Sequence, residues 1–178
     1  MFSCIIATIA SGQLMKESIY TLKLVRRGID IREGKEVNVL KSMHVKDVMS
    51  PHVETVSEEW SLERTSDKIS KSKYNSFPVL NSENKLVGIL SFNDYSEAIF
   101  DEDLKFIVVA KDLATSEVVT VSTDDDLYTA LGKISRYDFS TLPVVSPNDP
   151  KHLVGVVSRR DVIGAYEKAV LKKSLFQN

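Results

Sequence analysis

Over residues 118–171 the apolar positions change period twice. Val118-Val119-Thr120-Val121 is a β-branched run that predicts a short strand, and Leu127, Ala130, Leu131 and Ile134 then recur at i, i+3, i+4 and i+7, which predicts a helix. Ser122, Thr123 and Asp124 supply candidate N-caps between the two. Thr141 to Val145 and Leu153 to Val157 read as two strands joined by a loop with Pro147 and Pro150. Asp161 to Leu171 reads as a helix that turns Val162, Ile163, Tyr166, Ala169 and Val170 inward. The same order occurs earlier: a strand over Val53 to Val56, a helix from Ser61 to Ser72, strands over 77–80 and 86–90, and a helix from Asp94 to Phe100.

The two stretches are copies. Phe77-Pro78-Val79-Leu80 returns as Leu142-Pro143-Val144-Val145, 65 positions on, and Gly88 through Asp94 returns as Gly155 through Asp161, 67 positions on. A two-residue insertion in the loop holding Pro147 and Pro150 accounts for the change in offset. Thr55-Val56-Ser57 and Thr120-Val121-Ser122 also match at 65. Solenoid repeats run about 20 to 50 residues, so this period points to paired small domains. Each βαββα unit leaves one sheet face to cover, and packing the two together with pseudo-twofold symmetry covers both. The predicted fold is therefore mixed α+β / α/β, two βαββα repeats over 44–108 and 109–172, with an N-terminal helical segment over 1–43 and a tail at 173–178.

Composition narrows the function. With 43% hydrophobic residues and a mean hydropathy of −0.10 the chain can bury one or two cores. A net charge of −2 argues against a nucleic-acid partner, which calls for a strongly basic face. Charge is uneven, with eight Lys or Arg against four acids between Lys16 and Lys46. Cys4 is alone, so no internal disulfide forms. His44, His52 and His152 have no ligand spacing and predict no metal site. No phosphate loop, Ser-His-Asp set or paired catalytic carboxylates occur, and no enzyme is predicted. Met1 to Ala10 is apolar but shorter than the roughly 20 residues a bilayer needs. It reads either as a helix of a soluble protein or as the last turns of a membrane helix whose earlier part is missing, followed by a basic juxtamembrane stretch.

Val45-Lys46-Asp47-Val48-Met49, Tyr74-Asn75-Ser76-Phe77-Pro78 and the two Gly-x-x-Ser-x-x-Asp endings, Gly88 to Asp94 and Gly155 to Asp161, carry a family signature. Residues 44–172 resemble a tandem pair of cystathionine β-synthase (CBS) domains, a Bateman module. The resemblance implies a regulatory module with two clefts between the repeats, a regulatory adenine nucleotide (ATP, ADP or AMP) rather than a required cofactor, and a homodimer. Ahead of it, Ala7-Thr8-Ile9-Ala10 and Glu17 through Leu24 resemble the end of the membrane domain of CLC-type chloride channels and transporters, where Tyr20 matches a chloride-coordinating tyrosine. That likeness implies a membrane domain as partner, in cis or missing from this chain, and a place on the cytoplasmic face of the membrane. The alternatives are a free-standing cytoplasmic sensor for a separate enzyme or transcription factor, and a ligand-free dimerisation scaffold.

A nucleotide site needs a flat ring for the base, an acceptor for ribose hydroxyls and donors for phosphate. Asp161, three residues after Ser158 at a strand–helix junction, can accept two ribose bonds, and Arg159 and Arg160 add fork-shaped donors. Tyr74 resembles the ring that stacks on adenine in CLC-type modules. The main cleft is expected from Thr55, Tyr74, Asn75, Ser76, Ser158, Arg160 and Asp161. A second cleft is expected from Ser91, Asp94, Thr120, Phe139 and Ser140, empty or weaker because Phe92-Asn93 replaces the two arginines. Plainer readings stand beside these: Ser-x-x-Asp is also a helix-capping arrangement, Tyr74 can fill a core, and Arg159-Arg160 can be a solvated helix start.

Overall fold

The computed structural model describes residues 35–99 and 107–175. The apolar start, the predicted helix around Ser18 to Arg27 and Tyr20 lie outside them. The elements are α1 (Lys35–Lys41), a 3-10 turn (Val45–Asp47), β1 (Val56–Ser57), α2 (Leu62–Ser70), β2 (Ser76–Leu80), β3 (Leu86–Ser91) and α3 (Phe92–Ile99), followed by α4 (Ala110–Leu113), β4 (Val121–Ser122), α5 (Leu127–Arg136), β5 (Thr141–Ser146), β6 (Asp149–Ser158) and α6 (Arg159–Leu175). No described helix is long and apolar enough to cross a membrane. The fold is mixed α+β, with two three-stranded sheets ordered β1-β2-β3 and β4-β5-β6.

In each sheet the first strand runs parallel to the central one and the third antiparallel. The central strands read as unbroken apolar runs because both faces are covered, as with Phe77-Pro78-Val79 and Leu142 to Val145. A proline in a central strand normally deletes a ladder bond. Here Pro78 faces Ile89 and Pro143 faces Val156, and both partners turn their backbone groups away from the proline. Ile89 exchanges both bonds with Thr115, and Val156 with Ser50, at 2.9 to 3.0 Å. The strand that would meet the other side of each proline begins one residue later, at the level of Val79 and Val144.

Those bonds show how the repeats are joined. Residues 43–50 lead into the first repeat but pack on the second, where Val45 N–H donates to the Asp125 carbonyl and Lys46 N–H to the Thr123 carbonyl. Residues 109–115 do the reverse, with Ala110 N–H donating to Trp60 and Lys111 N–H to Glu58. Each core thus holds a residue from the other repeat's leading segment. Val45 is buried with Leu127, Ile134, Leu142 and Val157, and Ala110 with Leu62, Phe77, Val79 and Leu90. On the pseudo-twofold axis Lys85 bridges to His152, its own counterpart 67 residues on.

Several boundaries differ from the sequence pattern. Strands expected at 53–56 and 118–121 shrink to Val56–Ser57 and Val121–Ser122, because 53–55 and 118–120 have no sheet partner. Ser122, Thr123 and Asp124 do not cap α5; Asp126 does, accepting from Thr129 N–H at 2.7 Å. The hairpin between β5 and β6 is tighter than expected, since β6 already begins at Asp149. Helix α6 starts two residues early and runs to Leu175, and Val170, expected inward, is exposed.

Candidate functional site

Both Ser-x-x-Asp segments fold as reciprocal caps. Ser91 ends β3 and its hydroxyl accepts from Asp94 N–H at 3.3 Å, while Asp94 Oδ2 accepts from Ser91 N–H at 3.1 Å and from its Oγ–H at 2.6 Å. Ser158 and Asp161 repeat this at 3.2, 2.9 and 2.6 Å at the start of α6. The capping reading is therefore realised in both repeats. It also fixes each carboxylate, and Oδ1 of Asp94 and Asp161 accepts no hydrogen bond from the described residues. That oxygen is available to a ligand hydroxyl.

Around Asp94 this produces a cavity of about 560 Å³, within the range of small-molecule sites. Its polar wall comes from both repeats: Ser91 and Asp94 with Asn75 and Ser76 from the first, and Ser140 and Thr141 from the second. Its apolar wall includes Ile89, Phe92, Val118, Val119, Phe139 and Pro143. Phe139 is 40% exposed and stacks on Tyr137 with ring centroids 5.6 Å apart. Thus Ser91, Asp94, Phe139 and Ser140 of the expected second cleft do share one space. Thr120 does not line it; its carbonyl accepts from Lys133 Nζ at 2.8 Å. Asn75 and Ser76, assigned to the main cleft, line this cavity instead, together with their counterparts Ser140 and Thr141.

Of the main-cleft set, Arg160 and Asp161 line a different recess of about 570 Å³ with Met43, Asp47 and Val48, and none of Thr55, Tyr74, Asn75, Ser76 or Ser158 borders it. Tyr74 is 41% exposed, with Lys73 Nζ 5.3 Å from its ring centre, so it is not core filler. Thr55 is half-buried in the stretch before β1. Arg159 is corrected. Its guanidinium reaches Asp138 Oδ1 and the Phe139 carbonyl at 3.2 Å, and the Ile134 carbonyl at 3.4 Å. It secures the loop carrying Phe139 rather than offering a fork to a phosphate.

Sequence reasoning missed Thr115, Glu117 and Asp138, which also line the cavity. Asp138 has φ of 53°, a left-handed conformation that aspartate tolerates better than most residues. The signal was present in the constant offset. Thr115 is the counterpart of Ser50, and its bridge to Ile89 carries residues 115–119 past the Ser91–Asp94 cap.

Two repeats that exchange leading segments and place a Ser-x-x-Asp cap against the other repeat's aromatic loop define a tandem repeat pair. The CBS-domain family model matches residues 45–101 and 110–168, and the chain belongs to that family. Among curated relatives it is 26% identical over 118 residues to a homoserine O-acetyltransferase of Methanococcus vannielii, covering 66% of this chain and 24% of that protein. It is 27% identical over 165 residues to an L-aspartate semialdehyde sulfurtransferase of Methanocaldococcus jannaschii, covering 87% and 31%. The chain spans less than half the length of these relatives. Among solved structures, a CBS-domain pair in complex with 5′-methylthioadenosine and S-adenosyl-L-methionine superposes with a TM-score of 0.59 at 26% identity, over 71% of this chain and 98% of that one.

Proposed function

We propose that this CBS pair is a regulatory, non-catalytic module that binds an adenosine-containing ligand between its repeats. The observation that carries the reading is the cavity where Ser91 and Asp94 of one repeat face Phe139 and Ser140 of the other. The Asp94 carboxylate, held through Oδ2, accepts ribose hydroxyls at Oδ1, and the Phe139 ring gives the base an apolar surface. Adenosine ligands in the similar solved pair support this choice of chemistry. Occupancy regulates if it favours one relative arrangement of the repeats, and a coupling of about 1 to 3 kcal/mol suffices. The main cleft expected from Thr55, Tyr74, Asn75, Ser76, Ser158, Arg160 and Asp161 is proposed as the other ligand site, since the duplication maps Tyr74 onto Phe139 and Asp161 onto Asp94.

The partner is part of the proposal. Service to a CLC-type membrane domain is supported by residues 7–24 alone. It predicts that the full chain sediments with membranes and that a chain lacking residues 1–43 does not; a full chain that stays in the supernatant contradicts it. Ligand binding is read by titration calorimetry of the full chain with AMP, ATP and 5′-methylthioadenosine. Saturable heat is expected with at least one, and no heat from any of them at millimolar concentration contradicts the proposal.

A further inference from the structure

Among the described residues the cavity around Asp94 is lined by three carboxylates, Asp94, Glu117 and Asp138, and by no Lys, Arg or His. Asp138 is paired with Arg159 outside the lining, while Glu117 is in no ion pair among the described residues. The other repeat shows that this charge is not imposed by the fold. At the counterparts of Glu117, Asp138 and Asn93 stand His52, Lys73 and Arg160. At these three positions acidic and neutral side chains on one side of the duplication are basic on the other, while Val119 has the acidic Glu54 as its counterpart.

Resting on the proposed adenosine site, we infer that this cavity selects adenosine ligands without phosphate, uncharged or cationic at the 5′ position, and rejects 5′-phosphorylated nucleotides. A phosphate entering a space lined by carboxylates gains no charge-assisted donor from the described lining and meets like charge from the half-buried Asp94 and the exposed Glu117. An uncharged 5′-thioether loses nothing there, and a 5′-sulfonium gains attraction. The same walls leave ribose recognition intact, because Asp94 needs only hydroxyl donors.

The test is titration calorimetry of the full chain with 5′-methylthioadenosine and with AMP, repeated with Phe139→Ala to identify heat arising at this cavity. The expected result is that Phe139-dependent binding favours 5′-methylthioadenosine over AMP by at least about tenfold. Grafting the other repeat's residues, Asn93→Arg with Glu117→His, narrows that preference by raising AMP affinity about tenfold, with a new dependence on salt. A gain of this kind does not arise from a misfolded variant. Phe139-dependent binding of AMP at equal or greater affinity in the parent overturns the inference while leaving the adenosine site in place, as does a double graft that leaves the ratio unchanged. Absence of Phe139-dependent heat with either ligand removes both the inference and the site it rests on.

Discussion

Single atoms decide several positions in this chain. A Cβ on Gly155 would stand 2.8 Å from the Ser50 carbonyl oxygen, and one on Gly88 2.9 Å from the Ala114 Cβ. Both glycines let the other repeat's leading segment reach the sheet. Gly155→Ala is expected to cost about 1 to 3 kcal/mol, measured by denaturant unfolding, because the obstacle is backbone that cannot rotate away. Thr65 is fully buried in α2 and its hydroxyl has no hydrogen-bond partner; the second repeat has Ala130 at that position. Thr65→Val keeps the shape and removes the unpaired hydroxyl, and should raise stability by about 1 kcal/mol in the same assay. At the axis, the Lys85 ammonium, bonded to Asp149, holds that carboxyl below its ordinary value of 3.8, with help from the Lys151 N–H. A depressed carboxyl contributes stability above its unfolded pKa and loses it as pH falls through the folded one. Lys85→Met should therefore lower the melting temperature slightly near pH 7, and the gap from the parent should close as pH drops below about 3.8.

Elements were more legible than their ends. The spacing of Leu127, Ala130 and Ile134 gave α5, and these three are fully buried. The duplication then gave the partner elements, because each strand of the first repeat has a counterpart 65 or 67 residues on, as do α2 and α3. What periodicity did not show was where strands lose their partners. Val118-Val119 has the composition of a strand, yet only Val121 and Ser122 lie beside β5, so the earlier residues line a cavity instead. Capping was legible in kind and shifted in place, since Asp124, Asp125 and Asp126 are equivalent to the eye. Asp126 accepts from Thr129 N–H at 2.7 Å, whereas its counterpart Ser61 accepts from Arg64 N–H at 3.4 Å. Asp126→Ala should thus cost about 1 kcal/mol or more by thermal unfolding, and Ser61→Ala less, since the aspartate adds charge at the helix N-terminus.

At the scale of the whole molecule the decisive feature is the exchange of leading segments, which no local pattern announces. Neither repeat has a complete core alone: the second needs Val45 and the first needs Ala110. The family signature indicated paired repeats and a Ser-x-x-Asp junction, but only the exchange explains why residues 115–119 border a cavity whose carboxylate belongs to the first repeat. Residues 40–175 should accordingly unfold in one transition, with near-ultraviolet signals of the two repeats coincident, and Val45→Ala should lower both together. Because the groups proposed to contact the ligand come from both repeats, its occupancy would report directly on their arrangement.

The most direct measurement is an amide NMR map of the labelled full chain titrated with 5′-methylthioadenosine. Shifts concentrated at Ser91 to Asp94, Thr115 to Val119 and Phe139 to Thr141 are the predicted result, and shifts confined to Met43, Val48 and residues 160–172, around the separate recess, would contradict it.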